Sequence, residues 1–251
     1  MASYYDNRTP AWQRIVIWII AIAMAGGTLV GFFFMAIATQ NPNLGTAGIA
    51  KKKEEQAQKE LNEKTAEHQK KVDAQNEELG KKYFAEFNSY KSHIVAFEPT
   101  GIGDVKTEDL KTGDGVEISA NNGSAYSMYY IGWKPNGDIF DSSLDGEKLK
   151  SPLPGGGSYI TGWNEGVIGM KIGGVRLIII PPDKAYTDDS HKEHELYGLP
   201  LKFIVMAIPT PAEVPYPKGT VAACEKAMTS QAAQYGMTAV QLCQYYSNEE
   251  K

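Results

Sequence analysis

The sequence predicts an α+β protein: a glycine-punctuated β domain carried behind a long charged helix. Three observations predict it. Residues Lys51 to about Ser92 are dominated by Lys, Glu, Gln and Ala without a proline, four β-rich segments follow Pro99, and an uncharged 24-residue run stands ahead of both, from Ile15 to Ala38. The overall composition, 22% charged and 42% hydrophobic with a net charge of −5, averages over these unlike regions. That acidic balance lacks the basic face of a nucleic-acid binder, so no nucleic-acid partner is expected.

Residues 1–14 form a short N-terminal segment. The run 15–38 reads as a transmembrane helix, because 24 residues at 1.5 Å each reach about 36 Å against a hydrocarbon core of about 30 Å. Trp12 and Trp18 suit the interfacial belt. A cleaved signal peptide is the competing reading, since Ala36-Ile37-Ala38 resembles a cleavage site, but the run exceeds the roughly 7–15 residues of a signal h-region. Arg8 and Arg14 precede the span while Lys51, Lys52 and Lys53 follow it. The positive-inside count is therefore ambiguous; the closer arginines favour an N-terminus in the cytoplasm and a C-terminus outside it. The expected localisation is that of a single-pass membrane protein.

Residues 39–50 are rich in small and turn-forming types and read as a flexible linker. Residues 51–99 read as a charged helical stalk. Its apolar seam, Ala57, Leu61, His68, Val72 and Leu79, is too interrupted for a firm coiled coil, which makes a solvated spacer the expectation and leaves oligomerisation through the stalk open. Tyr83, Phe84, Phe87 and Tyr90 recur at helical spacing and are expected to pack onto a domain.

The β domain is placed at 100–208, with strands at 116–119, 125–133, 175–180 and 201–208. Pro181 and Pro182 stop the third strand, and Pro209 and Pro211 stop the fourth, since proline cannot donate to a ladder. A proline-rich linker, 209–219, leads to a small helical tail, 220–251, read as a hairpin of helices at 220–235 and 238–247 broken at Gly236. Cys224 and Cys243 are the only cysteines. A pair outside the cytoplasm fits a disulfide, but in a straight hairpin the two lie about 7 Å apart along the axis, so a bond would need bent or crossed helices.

The chemistry sits between residues 126 and 208, in the segments YSMYYIGWKPNGDIFDSS, YITGWNEGVIGMKIGG, VRLIIIPPDKAY and LKFIVMAI. In order and approximate spacing these resemble the FKBP family of peptidyl-prolyl cis/trans isomerases, over roughly residues 102–208. The resemblance implies an antiparallel sheet wrapped around a short helix. It also implies catalytic residues Tyr130, Asp141, Trp163 and Tyr186, and substrate-binding residues Phe140, Tyr159, Ile160 and Phe203. No cofactor or metal is implied. The expected partners are proline-containing unfolded or partly folded polypeptides, macrolide inhibitors of the rapamycin type, and the membrane through residues 15–38. The implied role is isomerisation of X-Pro bonds outside the cytoplasmic membrane, assisting folding. The alternative is a weakly active or inactive FKBP-like chaperone or docking module in a membrane assembly.

Read residue by residue, each aromatic alone is better explained by core packing, and Asp141-Ser142-Ser143 by a turn; their joint order points to a site. The sequence departs from the family at two places. LKSPLPGGG stands where the family carries an aromatic pocket wall, and Ala185-Tyr186-Thr187 leads into the charged loop DDSHKEHELYG. His191, Glu193, His194, Glu195 and Asp188 or Asp189 form a rival metal cluster. Its spacing does not match His-Glu-x-x-His, so a solvated flap is the expectation. Gly155-Gly156-Gly157 lacks the lysine and helix of a phosphate loop.

Overall fold

In a computed structural model, the structure describes residues 45–187 and 192–250. They divide into two compact units, one of residues 69–214 and one of residues up to 68 together with 215 onward. The candidate membrane span 15–38 lies outside the described residues, and no described helix is long and apolar enough to cross a bilayer.

Helix α1 (Gly45–Ser89) contributes to both units. It begins inside the segment expected as a flexible linker, because the helix-forming composition after Lys51 propagates backwards over residues with no proline to stop it. Ion pairs one turn apart line its exposed face, among them Lys59–Glu63 and Glu77–Lys81.

The larger unit holds β1 (Lys106–Lys111), β2 (Tyr126–Trp133), β3 (Ile139–Ser142), a small hairpin of β4 (Leu144–Asp145) and β5 (Lys148–Leu149), and β6 (Leu153–Pro154). Helix α2 (Thr161–Val167), β7 (Val175–Ile180) and β8 (Leu201–Pro209) complete it. The main sheet runs β1-β7-β8-β2-β3 with β6 also on β2, and its pairs are antiparallel. The strands expected at 125–133, 175–180 and 201–208 form. The one expected at 116–119 does not: the chain there makes a single bridge, Glu117 to Lys171, its Ile118 amide donates to the Met170 carbonyl, and its Ser119 amide turns to the Asn122 side chain. In its place the polar segment KTEDLK forms β1, paired to β7 from Lys106 opposite Ile179 to Lys111 opposite Val175.

Side chains alternate across a strand, and β8 shows what that demands here. Leu201, Phe203, Val205 and Ala207 enter one apolar cluster, with Trp163 and Val167 of α2. Ile204, Met206 and Ile208 enter another, with Tyr129, Ile131 and Trp133 of β2 and Phe87 of α1. Both faces are buried, so both need a cover. Helix α2 covers one. The end of α1 covers the other: Phe87 is fully buried, and Tyr83, Phe84 and Tyr90 pack around it. The end of α1, from Gly80 onward, thus packs into the β domain rather than standing ahead of it as a spacer.

The smaller unit has three tail helices, α3 (Thr220–Ala227), α4 (Thr229–Gln234) and α5 (Ala239–Cys243), where two were expected. The chain breaks helix at Met228, and Thr238 starts α5 through a capping box with Gln241. These bends remove the axial offset of a straight hairpin, and Cys224 and Cys243 are joined by a disulfide with Cα atoms 5.8 Å apart. Leu61 of α1 shares their buried cluster with Ala223. Lys64 donates to the Lys218 carbonyl at 2.7 Å, and His68 stacks on Tyr216 with centroids 3.8 Å apart. Ala57 is also buried. The seam that a coiled coil would use is therefore occupied within the chain, and no coiled coil is supported.

Candidate active site

A cavity of about 610 Å³ opens beside α2, lined by Tyr130, Phe140, Asp141, Leu153, Ser158, Tyr159, Ile160, Thr161, Trp163, Ala185, Tyr186 and Phe203. All eight pocket residues named from the sequence are among these. Leu153, Ser158, Thr161 and Ala185 were not anticipated. Leu153 lines the cavity from β6, the strand that the LKSPLPGGG segment lays against β2. A proline on each side of an aliphatic residue was the available signal, since that pattern suits a short edge strand.

Each side chain is placed by its element. Tyr130 lies on the pocket-facing register of β2, opposite Val205 of β8. Two residues on, a Cβ at Gly132 would come within 2.6 Å of both the Phe140 and Phe203 rings, so glycine alone leaves room for that pair. Those rings then meet edge to face at 5.5 Å and 88°. Trp163 is carried by α2, which lies flush on the sheet because Gly162 and Gly166 face Ile180 and Ile178 with no space for a Cβ. The far end of α2 is tied down by Arg176 of β7, whose guanidinium donates to the Gly166 and Ile168 carbonyls at 3.1 and 2.8 Å and grips Asp109 of β1 through two nitrogens.

Trp163 is the hub of the aromatic wall. Tyr130 meets it edge-on at 5.5 Å, Phe203 edge-on at 5.1 Å, and Tyr159 tilted at 5.5 Å. It is 3% exposed, and its indole N–H makes no hydrogen bond among the described residues. An unsatisfied buried donor costs about 1–3 kcal/mol, a placement that core packing alone gives no reason to keep.

The polar groups of the lining are tied by bonds of their own. The Tyr130 hydroxyl donates to Asp141 Oδ2, while Asp141 Oδ1 accepts from the Ser142 amide at 2.7 Å and lies 4.0 Å from Lys150 Nζ. Ser143 anchors the same turn by accepting from the Tyr130 amide at 2.9 Å. The Tyr159 hydroxyl donates to the Pro154 carbonyl at 2.7 Å. Burial above all, and then the bond to Asp141, pushes the Tyr130 hydroxyl well above the ordinary tyrosine range. Burial also raises Tyr159 and Tyr186, the latter helped by the Asp141 charge. These phenols stay neutral at physiological pH and keep their protons for donation.

Of the rival metal cluster, Asp188, Asp189 and His191 lie outside the described residues. His194 stacks on Tyr186, and Glu195 faces Lys134 at 3.5 Å. No group of three ligating side chains occurs among the described residues.

Residues 116–213 match the family model for FKBP-type peptidyl-prolyl cis-trans isomerase. The chain is 48% identical over 85 residues to the 39 kDa FK506-binding nuclear protein of Drosophila melanogaster, covering 34% of this chain and 23% of that protein. It is 43% identical over 84 residues to a peptidyl-prolyl cis-trans isomerase of Saccharomyces cerevisiae, covering 34% and 20%. The chain thus spans under a quarter of the length of either relative. An FK506-binding protein of Neisseria meningitidis serogroup A is matched over most of its length, 42% identical across 76% of that protein and 34% of this chain. With the pocket geometry and this match in agreement, the chain belongs to the FKBP-type peptidyl-prolyl cis-trans isomerase family.

Proposed function

We propose that this chain catalyses cis/trans isomerisation of X-Pro bonds in polypeptides. The observation that carries the reading is the convergence of Tyr130, Phe140, Tyr159, Trp163 and Phe203 on one cavity that Asp141 and Tyr186 also line. An X-Pro bond turns over in tens to hundreds of seconds because amide resonance sets a barrier of about 18–20 kcal/mol. Resonance separates charge, and water stabilises the planar form that carries it. An aromatic cavity withdraws that water, so the twisted, single-bond-like amide is favoured relative to both planar isomers. The pyrrolidine ring packs over Trp163. The amide of Ile160, the residue before α2, and the Tyr186 hydroxyl hold the flanking carbonyls. Tyr130 spends its hydroxyl on Asp141, which fixes the carboxylate at the wall of the cavity. No covalent step is involved.

The likeness to FK506-binding proteins supports macrolide binding in the same cavity. The uncharged run 15–38 supports a membrane anchor, and the Cys224–Cys243 disulfide supports an oxidising compartment outside the cytoplasm, where the domain assists folding of exported polypeptides. A protease-coupled assay of the full chain in detergent on an Ala-Leu-Pro-Phe peptide tests the activity; a rate no faster than the uncatalysed one would refute it. Labelling of reduced Cys224 and Cys243 by an impermeant thiol reagent on intact cells tests the side of the membrane, and protection of both would place the tail inside.

A further inference from the structure

The loop that returns from Tyr186 to β8 is bound back onto that tyrosine at two points. The Gly198 amide donates to the Tyr186 carbonyl at 3.0 Å, and the His194 ring lies parallel on the Tyr186 ring, centroids 5.0 Å apart at 18°. His194 is itself held. Its Nδ1 accepts from the Leu196 amide at 3.2 Å, and its carbonyl accepts from Tyr197 at 2.9 Å. Leu196 is 2% exposed and plugs the pocket-side core, while Glu195 reaches Lys134 beyond β2. A segment so charged would be expected to float free in solvent, yet one buried leucine and these bonds seat residues 194–198.

We infer that His194 is a positioning residue for the isomerase site: its ring, braced by Leu196, fixes the plane of Tyr186 and so the direction in which the Tyr186 hydroxyl offers its proton to a substrate carbonyl. The inference rests on the proposed isomerase reading. Stacked rings prefer a parallel, offset arrangement and resist rotation about the tyrosine side-chain bonds. A hydroxyl held in one direction is worth more to a transition state than one that must be ordered during the reaction. Any planar ring at position 194 would serve, whereas a small side chain would take the stacked face away from Tyr186.

The test compares the full chain with His194→Ala and His194→Phe. The expected result is a five- to tenfold fall in kcat/KM for His194→Ala, near-complete recovery for His194→Phe, and unchanged Tm for both. His194→Ala should also weaken FK506 binding severalfold by calorimetry, a readout that needs no turnover. Rates within twofold of wild type for His194→Ala, or failure of phenylalanine to restore them, overturn the inference. Should the wild type bind FK506 without accelerating isomerisation, the isomerase reading falls, and equal FK506 affinity in wild type and His194→Ala then overturns the positioning role as well. A wild type that neither binds nor isomerises overturns both.

Discussion

Phe203 and Ile204 are neighbours on β8 that serve opposite faces of one sheet: Phe203 closes the aromatic wall beside Trp163, and Ile204 packs in the cluster that Phe87 of α1 completes. The site therefore depends on a helix that packs on the opposite face of the sheet. If the end of α1 did not cover that face, Tyr129, Ile131, Trp133, Ile204, Met206 and Ile208 would lose their cover. Burying each such side chain is worth about 1.5–3 kcal/mol.

Phe87→Ala is accordingly expected to destabilise the larger unit by about 3–5 kcal/mol in urea unfolding, the range for a buried aromatic truncated to alanine. A change under about 0.5 kcal/mol, the range of an exposed site, would mean that α1 is a spacer after all.

Tyr129 lies on that same covered face, and its hydroxyl is buried without a hydrogen bond among the described residues. Burial pushes its ionisation up to about 12. Tyr129→Phe should therefore stabilise the fold by about 1 kcal/mol at neutral pH, because it removes an unsatisfied group while keeping the ring. Destabilisation by a similar amount would show that the hydroxyl is satisfied.

Alkaline unfolding follows from the same burial. Tyr126, Tyr129, Tyr130, Tyr159 and Tyr186 are all raised in the folded state. Below pH of about 10 both states are protonated and the fold keeps its full stability. Above that, the unfolded chain alone sheds phenolic protons, binds fewer than the native state, and stability falls as pH rises. Urea midpoints should hold from pH 7 to 9 and drop between pH 10 and 12; a flat profile to pH 12 would contradict the burial of these rings.

The disulfide closes a sequence separation of 19 residues in the smaller unit. Cys224→Ser with Cys243→Ser is expected to cost that unit about 3 kcal/mol. Isomerase rates should not change, because every pocket residue lies within 69–214. Hydrogen exchange of tail amides beside a peptide assay separates the two effects.

Gly162→Ala would drive a methyl group into Ile180 and lift α2 from the sheet. Since α2 carries Trp163, the variant should lose at least tenfold in kcat/KM, about 1.4 kcal/mol of transition-state stabilisation, together with thermal stability. Unchanged kinetics would mean that the depth of Trp163 is not set by this contact.

Much of the pocket was legible because its residues fall in linked segments whose order carries information that no single aromatic does. Tyr130, Asp141, Trp163 and Phe203 come from four elements, yet all line the cavity. Leu153 escaped because its flanking prolines signal a short edge strand and nothing of what that strand faces. The helix packing was only half legible. The spacing of Tyr83, Phe84, Phe87 and Tyr90 announced a buried face, but the Lys- and Glu-rich turns before it read as solvated. The decisive clue lay elsewhere, in the unbroken apolar run of β8, since a strand without polar alternation needs a cover on both sides. The polar edge strand β1 carried no pattern at all and forms only because β7 supplies a partner.

The central claim is that the cavity over Trp163 lowers the barrier to X-Pro rotation. Exchange NMR of a proline peptide with wild type and with Trp163→Leu, at equal concentration and with equal near-ultraviolet dichroism away from tryptophan bands, tests it most directly. The account predicts rapid exchange with the wild type and a rate at least tenfold lower with Trp163→Leu; equal rates for the two proteins would contradict it.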